Sequence, residues 1–171
     1  TVIKKPVLRF DGADDFLSGV FGQTITEGYM FAAFSVLGDG GEAFSRIFSV
    51  NSTGVDDNQL SGCIFSIRNA ASSTLDSFYA GNYRLPHVGM FDDGNGDILH
   101  EVKITNGNQS SLVNNANLQT ATSGTAISSE GFNIVASTAI SNGNNNSAID
   151  LEYLALFPAT ITDDQADSVR N

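Results

Sequence analysis

The chain has no tryptophan, one cysteine and three prolines among its 171 residues. With a single cysteine no disulfide forms inside the chain, so packing alone has to hold the fold. Cys63 alternates with Phe65 and Ile67, the pattern of a small apolar core residue rather than a reactive thiol. Basic residues are scarce: eight Lys plus Arg stand against nineteen Asp plus Glu, a net charge of −11. Such a surface repels phosphate backbones and anionic bilayers, which argues against nucleic acid and membrane as partners. No apolar run reaches the roughly twenty residues that a bilayer-spanning helix needs. The sequence begins at Thr1 without a signal-peptide pattern and reads as a processed or excised piece of a larger protein. Its acidic surface suits extracellular fluid or a virion exterior.

What is present is a succession of short strands. Apolar residues make up 41% of the chain, enough for a core between two sheets of one domain over residues 1–171. Strand patterns fall near 7–10, 29–37, 46–50, 63–68, 77–80, 87–91, 98–105, 111–114, 132–136 and 149–157, with turn residues between them. Asn106-Gly107 follows an alternating strand and predicts a type I′ hairpin. Helical periodicity is missing until Thr162, whose hydroxyl and Gln165 form a capping box for a final helix of roughly two turns. The expected fold is all-β, two antiparallel sheets packed face to face with one short C-terminal helix.

Alternation assigns faces. Ile98, His100, Val102 and Ile104 share one side of their strand, with Glu101 and Lys103 opposite. In the last strand the same rule puts Ile149, Leu151, Tyr153, Ala155 and Phe157 together, opposite Asp150 and Glu152. Segment 29–37 is apolar on both sides and is expected at the centre of a sheet covered on both faces.

Several of these motifs carry a resemblance when taken in order. Phe10-Asp11-Gly12-Ala13-Asp14-Asp15-Phe16 follows the first strand, and a long apolar strand ending at Phe157 precedes Thr162-Asp163-Asp164-Gln165. Between them stand Gly28-Tyr29-Met30-Phe31-Ala32-Ala33-Phe34, Arg46-Ile47-Phe48-Ser49-Val50 and Leu99-His100-Glu101-Val102-Lys103-Ile104-Thr105. Over residues 6–168 this order resembles laminin-G-like jelly-roll domains of the concanavalin A-like lectin and glucanase superfamily. Phe34 and Leu99 stand where those domains commonly carry Trp. The resemblance implies a jelly-roll sandwich that binds glycans or glycoproteins as an accessory module of secreted or virion proteins, such as phage tail or capsid appendages. It also implies that Asp11 and Asp14 fix the first turn by accepting backbone hydrogen bonds.

Candidate sites are few. Tyr79, Asn82, Tyr83, Arg84, His87 and Asp92 form the richest mixture of rings and hydrogen-bonding groups, suited to the apolar face and polar rim of a sugar; the two tyrosines also suit plain packing with wet hydroxyls. Asp93, Asn95 and Asp97 alternate in a Gly-rich loop, a spacing that can wrap calcium and equally that of a bare turn. His100, on the apolar face, is expected to be a hydrogen-bonded core histidine.

Catalysis finds no residue set. A glucanase of this fold needs three alternating carboxylates along a strand, and Asp150 with Glu152 supplies two. There is no Gly-x-Ser-x-Gly elbow either. The leading expectation is therefore a non-catalytic carbohydrate or host-surface recognition module, binding glycan and sitting among other subunits. A structural or decoration domain that binds no sugar is the alternative, and a polysaccharide-degrading enzyme is the least supported reading.

Overall fold

The computed structural model describes residues 6–25, 27–38, 44–51, 63–69, 77–80, 83–86, 96–105, 108–122, 129–134, 147–158 and 161–170. Among the described residues twelve strands and one helix follow in chain order: β1 (Leu8–Asp11), β2 (Leu17–Ile25), β3 (Gly28–Gly38), β4 (Phe44–Asn51), β5 (Cys63–Asn69), β6 (Ser77–Ala80), β7 (Tyr83–Pro86), β8 (Asp97–Thr105), β9 (Asn108–Val113), β10 (Ala116–Thr122), β11 (Ser129–Ile134), β12 (Ala148–Phe157) and α1 (Asp163–Arg170). They build two six-stranded sheets, ordered β1-β12-β3-β8-β9-β10 and β2-β11-β4-β5-β6-β7. All their pairings are antiparallel. The fold is the two-sheet jelly-roll sandwich with a short C-terminal helix.

The core lies between the sheets. Phe10, Met30, Phe34, Ile98, Val102, Val113 and Ile149 from the first sheet meet Ile47 and Phe48 from the second, with Phe21, Phe132 and Ile134 packed against them. Phe132 stacks with Phe48 at 6.0 Å between ring centroids and tilts against Phe21 at 5.2 Å. This ring needs Gly19 opposite it: a β-carbon there would lie 2.6 Å from the Phe132 ring. His100 is fully buried on the inner face as expected, its Nε2 2.7 Å from Ser111 Oγ.

The apolar strand β3 sits between β12 and β8, and α1 covers its outer face at Tyr29 and Phe31. Tyr29 and Phe31 stack at 4.7 Å and form a second, smaller core with Phe157, Ile161, Ala166 and Val169. The helix starts on the capping box: Thr162 N donates to Gln165 Oε1 at 2.9 Å, and Gln165 N donates to Thr162 Oγ1 at 3.2 Å.

The structure corrects the facing of the last strand. Leu151 pairs with Phe34 and Tyr153 with Ala33, so a β-bulge at Glu152 breaks the alternation. Beyond it Leu154 and Leu156 turn to the main core and Phe157 to the helix side. Tyr153, expected inward with Ile149 and Leu151, stands 41% exposed on the outer face. Glu101 lies on the face opposite Ile98, His100 and Val102, as expected, and is buried there because α1 brings Arg170 over it.

Candidate functional site

Of segment 79–92, residues 79–80 and 83–86 are described, and they lie in the last two strands of the second sheet. There β6 and β7 make a hairpin in which Tyr79 pairs with Arg84, Ala80 with Tyr83, and Phe78 with Leu85. Phe78 continues the row Phe48–Phe65–Phe78, which starts in the core. Asn82, His87 and Asp92 lie outside the described residues. So do Asp93 and Asn95 of the calcium pattern. Its third member, Asp97, opens β8, is exposed, and accepts a hydrogen bond from Ser35 Oγ at 2.9 Å.

The first turn is held by its own carboxylates. Ala13 N donates to Asp11 Oδ1 at 2.8 Å, and Asp11 N donates to Asp15 Oδ2 at 3.3 Å. Asp11 thus does what was expected of it, whereas the second bond goes to Asp15 rather than Asp14. Gly12 supplies the positive φ of 82° that the turn requires. Carboxylate oxygens of Asp11, Asp14 and Asp15 lie within 4.8 Å of one another on the surface.

The outer face of the first sheet divides into two halves. Helix α1 closes one half over Tyr29, Phe31 and Phe157. Here Glu101 receives Arg170 Nε at 2.8 Å and Nη2 at 2.6 Å, with Tyr29 Oη donating to the same carboxylate at 3.2 Å. The guanidinium, held by these bonds and by Asp167, has its pKa raised further above its already high ordinary value. Burial, followed by the nearby Glu101 charge, raises that of the Tyr29 phenol.

The other half, which no described residue of α1 covers, carries two rows across β12, β3 and β8. Tyr153, Ala33 and Leu99 form one; Asp150, Ser35 and Asp97 form the next. Arg9 of β1 pairs with Asp150 and grips it with two bonds, Nε to Oδ1 at 2.7 Å and Nη2 to Oδ2 at 2.6 Å. The hydrogen bond from Arg9, with its charge, holds the Asp150 carboxyl below the usual carboxylate range. Sequence alternation missed this grouping because it turned Tyr153 inward. Nothing in the residue types near Glu152 announces the bulge.

No protein-family model matches the chain, and no curated protein matches it in sequence. Solved structures do match in fold. The CBM40 of the IT-sialidase of Ruminococcus gnavus, bound to α2,3-sialyllactose, superposes with a TM-score of 0.69 at 12% identity, covering 96% of both chains. The exoplasmic/lumenal domain of VIP36 in its Ca²⁺/Man-bound form gives 0.55 at 12% identity, over 94% of this chain and 81% of that one. The NanB sialidase of Streptococcus pneumoniae gives 0.69 at 9% identity over 95% of this chain, which spans only 27% of the enzyme. The chain thus has the concanavalin A-like jelly-roll fold that these structures share.

Proposed function

We propose that this domain is a non-catalytic glycan-recognition module, displayed outward by a larger extracellular or virion protein. The observation that supports the reading is the extent of the likeness in fold: the chain superposes on a sialyllactose-bound module over 96% of each. The acidic surface, with a charge of −11, suits such exposure.

The first site proposed for the sugar is Tyr79, Asn82, Tyr83, Arg84, His87 and Asp92. The pairing of Tyr79 with Arg84 at a sheet edge supports it. Without tryptophan each contact is weak, and useful avidity comes from several copies in one assembly. The test is a glycan array with a multimerised chain beside its Tyr83→Ala form. Retention lost in the variant is expected; equal binding by both removes this site. Calcium at Asp93, Asn95 and Asp97 belongs to the same proposal, and a melting temperature that is equal in excess calcium and in chelator would dismiss it.

A role in assembly has its own support. Val7, Leu8, Phe16, Leu17 and Val20 are all more than 40% exposed, on and beside the edge strands β1 and β2. Edge strands with apolar exposure suit packing against a neighbouring subunit. A concentration-dependent mass in light scattering that Val20→Ser abolishes would favour this second reading.

A further inference from the structure

We propose that the open half of the outer face of the first sheet is a binding site for neutral pyranosides, with Tyr153 as the stacking ring. The inference rests on the glycan reading above but concerns a different sheet and names the class of sugar.

The bulge at Glu152 is the first support. A β-bulge re-aims side chains, and this one takes an aromatic residue out of the core pattern and exposes it. The floor beside the ring is the second. Along the outer face of β3 the residues step down from Tyr29 and Phe31, which α1 covers, to Ala33 and Ser35, so the strand is bulky under the helix and low next to Tyr153. A shelf results, closed at one end by α1.

The chemistry of the two rows is the third support. Tyr153, Ala33 and Leu99 make an apolar row; Asp150, Ser35 and Asp97 make a row rich in acceptors, one pleat repeat or about 7 Å further along the strands. A pyranose presents the complementary pair, a patch of C–H bonds on one face and hydroxyl donors around the rim. Ring stacking takes the first, and carboxylates accept from the second with charge-assisted hydrogen bonds.

Charge selects among sugars. Every described cation on this outer face is already engaged: Arg9 by Asp150, Arg170 by Glu101 and Asp167, and Lys103 over the Tyr29 ring at 5.8 Å. An acidic sugar, such as the sialyl group in the R. gnavus module, would meet Asp97 and Asp150 with no uncommitted described cation to receive it. Uncharged glycosides are therefore preferred.

An amide-resolved NMR titration of the labelled full chain tests this, using methyl α-mannoside, methyl β-galactoside, methyl β-glucoside and 3′-sialyllactose as probes. At least one neutral glycoside is expected to shift amides of 33–35, 97–99 and 150–153, and to bind more tightly than sialyllactose. Tyr153→Ala should weaken that binding roughly ten-fold, and Ala33→Leu, which fills the floor while keeping the ring, should weaken it as well. Shifts confined to β6 and β7 would overturn this site while leaving the glycan reading standing. Equal or tighter binding of sialyllactose at the shelf would overturn the selection by charge. No shift with any probe, together with an empty array for the multimerised chain, would remove the glycan reading and this inference with it.

Discussion

Arg170, in the last turn of α1, closes on Glu101 of β8 through two parallel hydrogen bonds of 2.8 and 2.6 Å, and this pair ties the helix to the sheet. The Glu101 side chain is 2% exposed and that of Arg170 22%. Removing the guanidinium strands a buried carboxylate. Arg170→Met should cost roughly 3 kcal/mol in urea unfolding, and the double variant with Glu101→Met should recover much of it.

The same cluster gives an alkaline limit. Tyr29 has its pKa raised from 10.0 by burial and by Glu101, so the neutral phenol contributes stability that is complete below that ordinary value. The contribution is lost as pH climbs through the folded value. Unfolding monitored through tyrosinate absorbance should therefore begin above about pH 10, and Tyr29→Phe should flatten this alkaline limb.

At the acid end the relevant pair is Arg9 with Asp150, which fastens the four-residue edge strand β1 to β12. The Asp150 pKa is lowered from 3.8, so its contribution is present above that value and disappears as pH falls through the folded one. Arg9→Ala should move the midpoint of acid unfolding to higher pH.

Between β9 and β10 the chain turns on Asn114 and Asn115, with φ of 50° and 56°. Two consecutive left-handed residues are the signature of a type I′ turn, which favours Gly at the second position. Asn115→Gly should stabilise by a few tenths of a kcal/mol, whereas Asn115→Val should cost about 1–2 kcal/mol, the penalty of a branched side chain at positive φ. Thermal melts of the two variants check both signs.

The sandwich was legible because its strands announce themselves by alternation and its helix by a cap. Residues 98–105 and 162–165 behave as their patterns say. Three strands escaped. β2 is interrupted by Gly19 and Gly22, the latter at a φ of 71°, and β7 is only four residues long. β10 has Leu118 as its one large apolar residue, and Asn114, read as a strand end, is the turn that leads into it. The expected strand at 87–91 and the Asn106-Gly107 turn itself lie outside the described residues, although Thr105 pairs with Asn108 to close that hairpin. For the shelf, Tyr153 was unreadable because a bulge reverses parity without any marker residue. The burial of Glu101 was not readable either, because no local pattern reports that a helix some sixty residues later will cover it.

Strand β3 holds the centre of its sheet, with residues 97–105 on one side and 148–157 on the other. Neither partner is a sequence neighbour, so its most apolar surface has to wait for segments made much later in synthesis. Closing such long loops costs entropy before any contact repays it, which places folding of this topology in the range of milliseconds to seconds. A chain emerging from the ribosome carries Tyr29-Met30-Phe31 uncovered until β12 and α1 have followed, which leaves an aggregation-prone surface exposed for that interval.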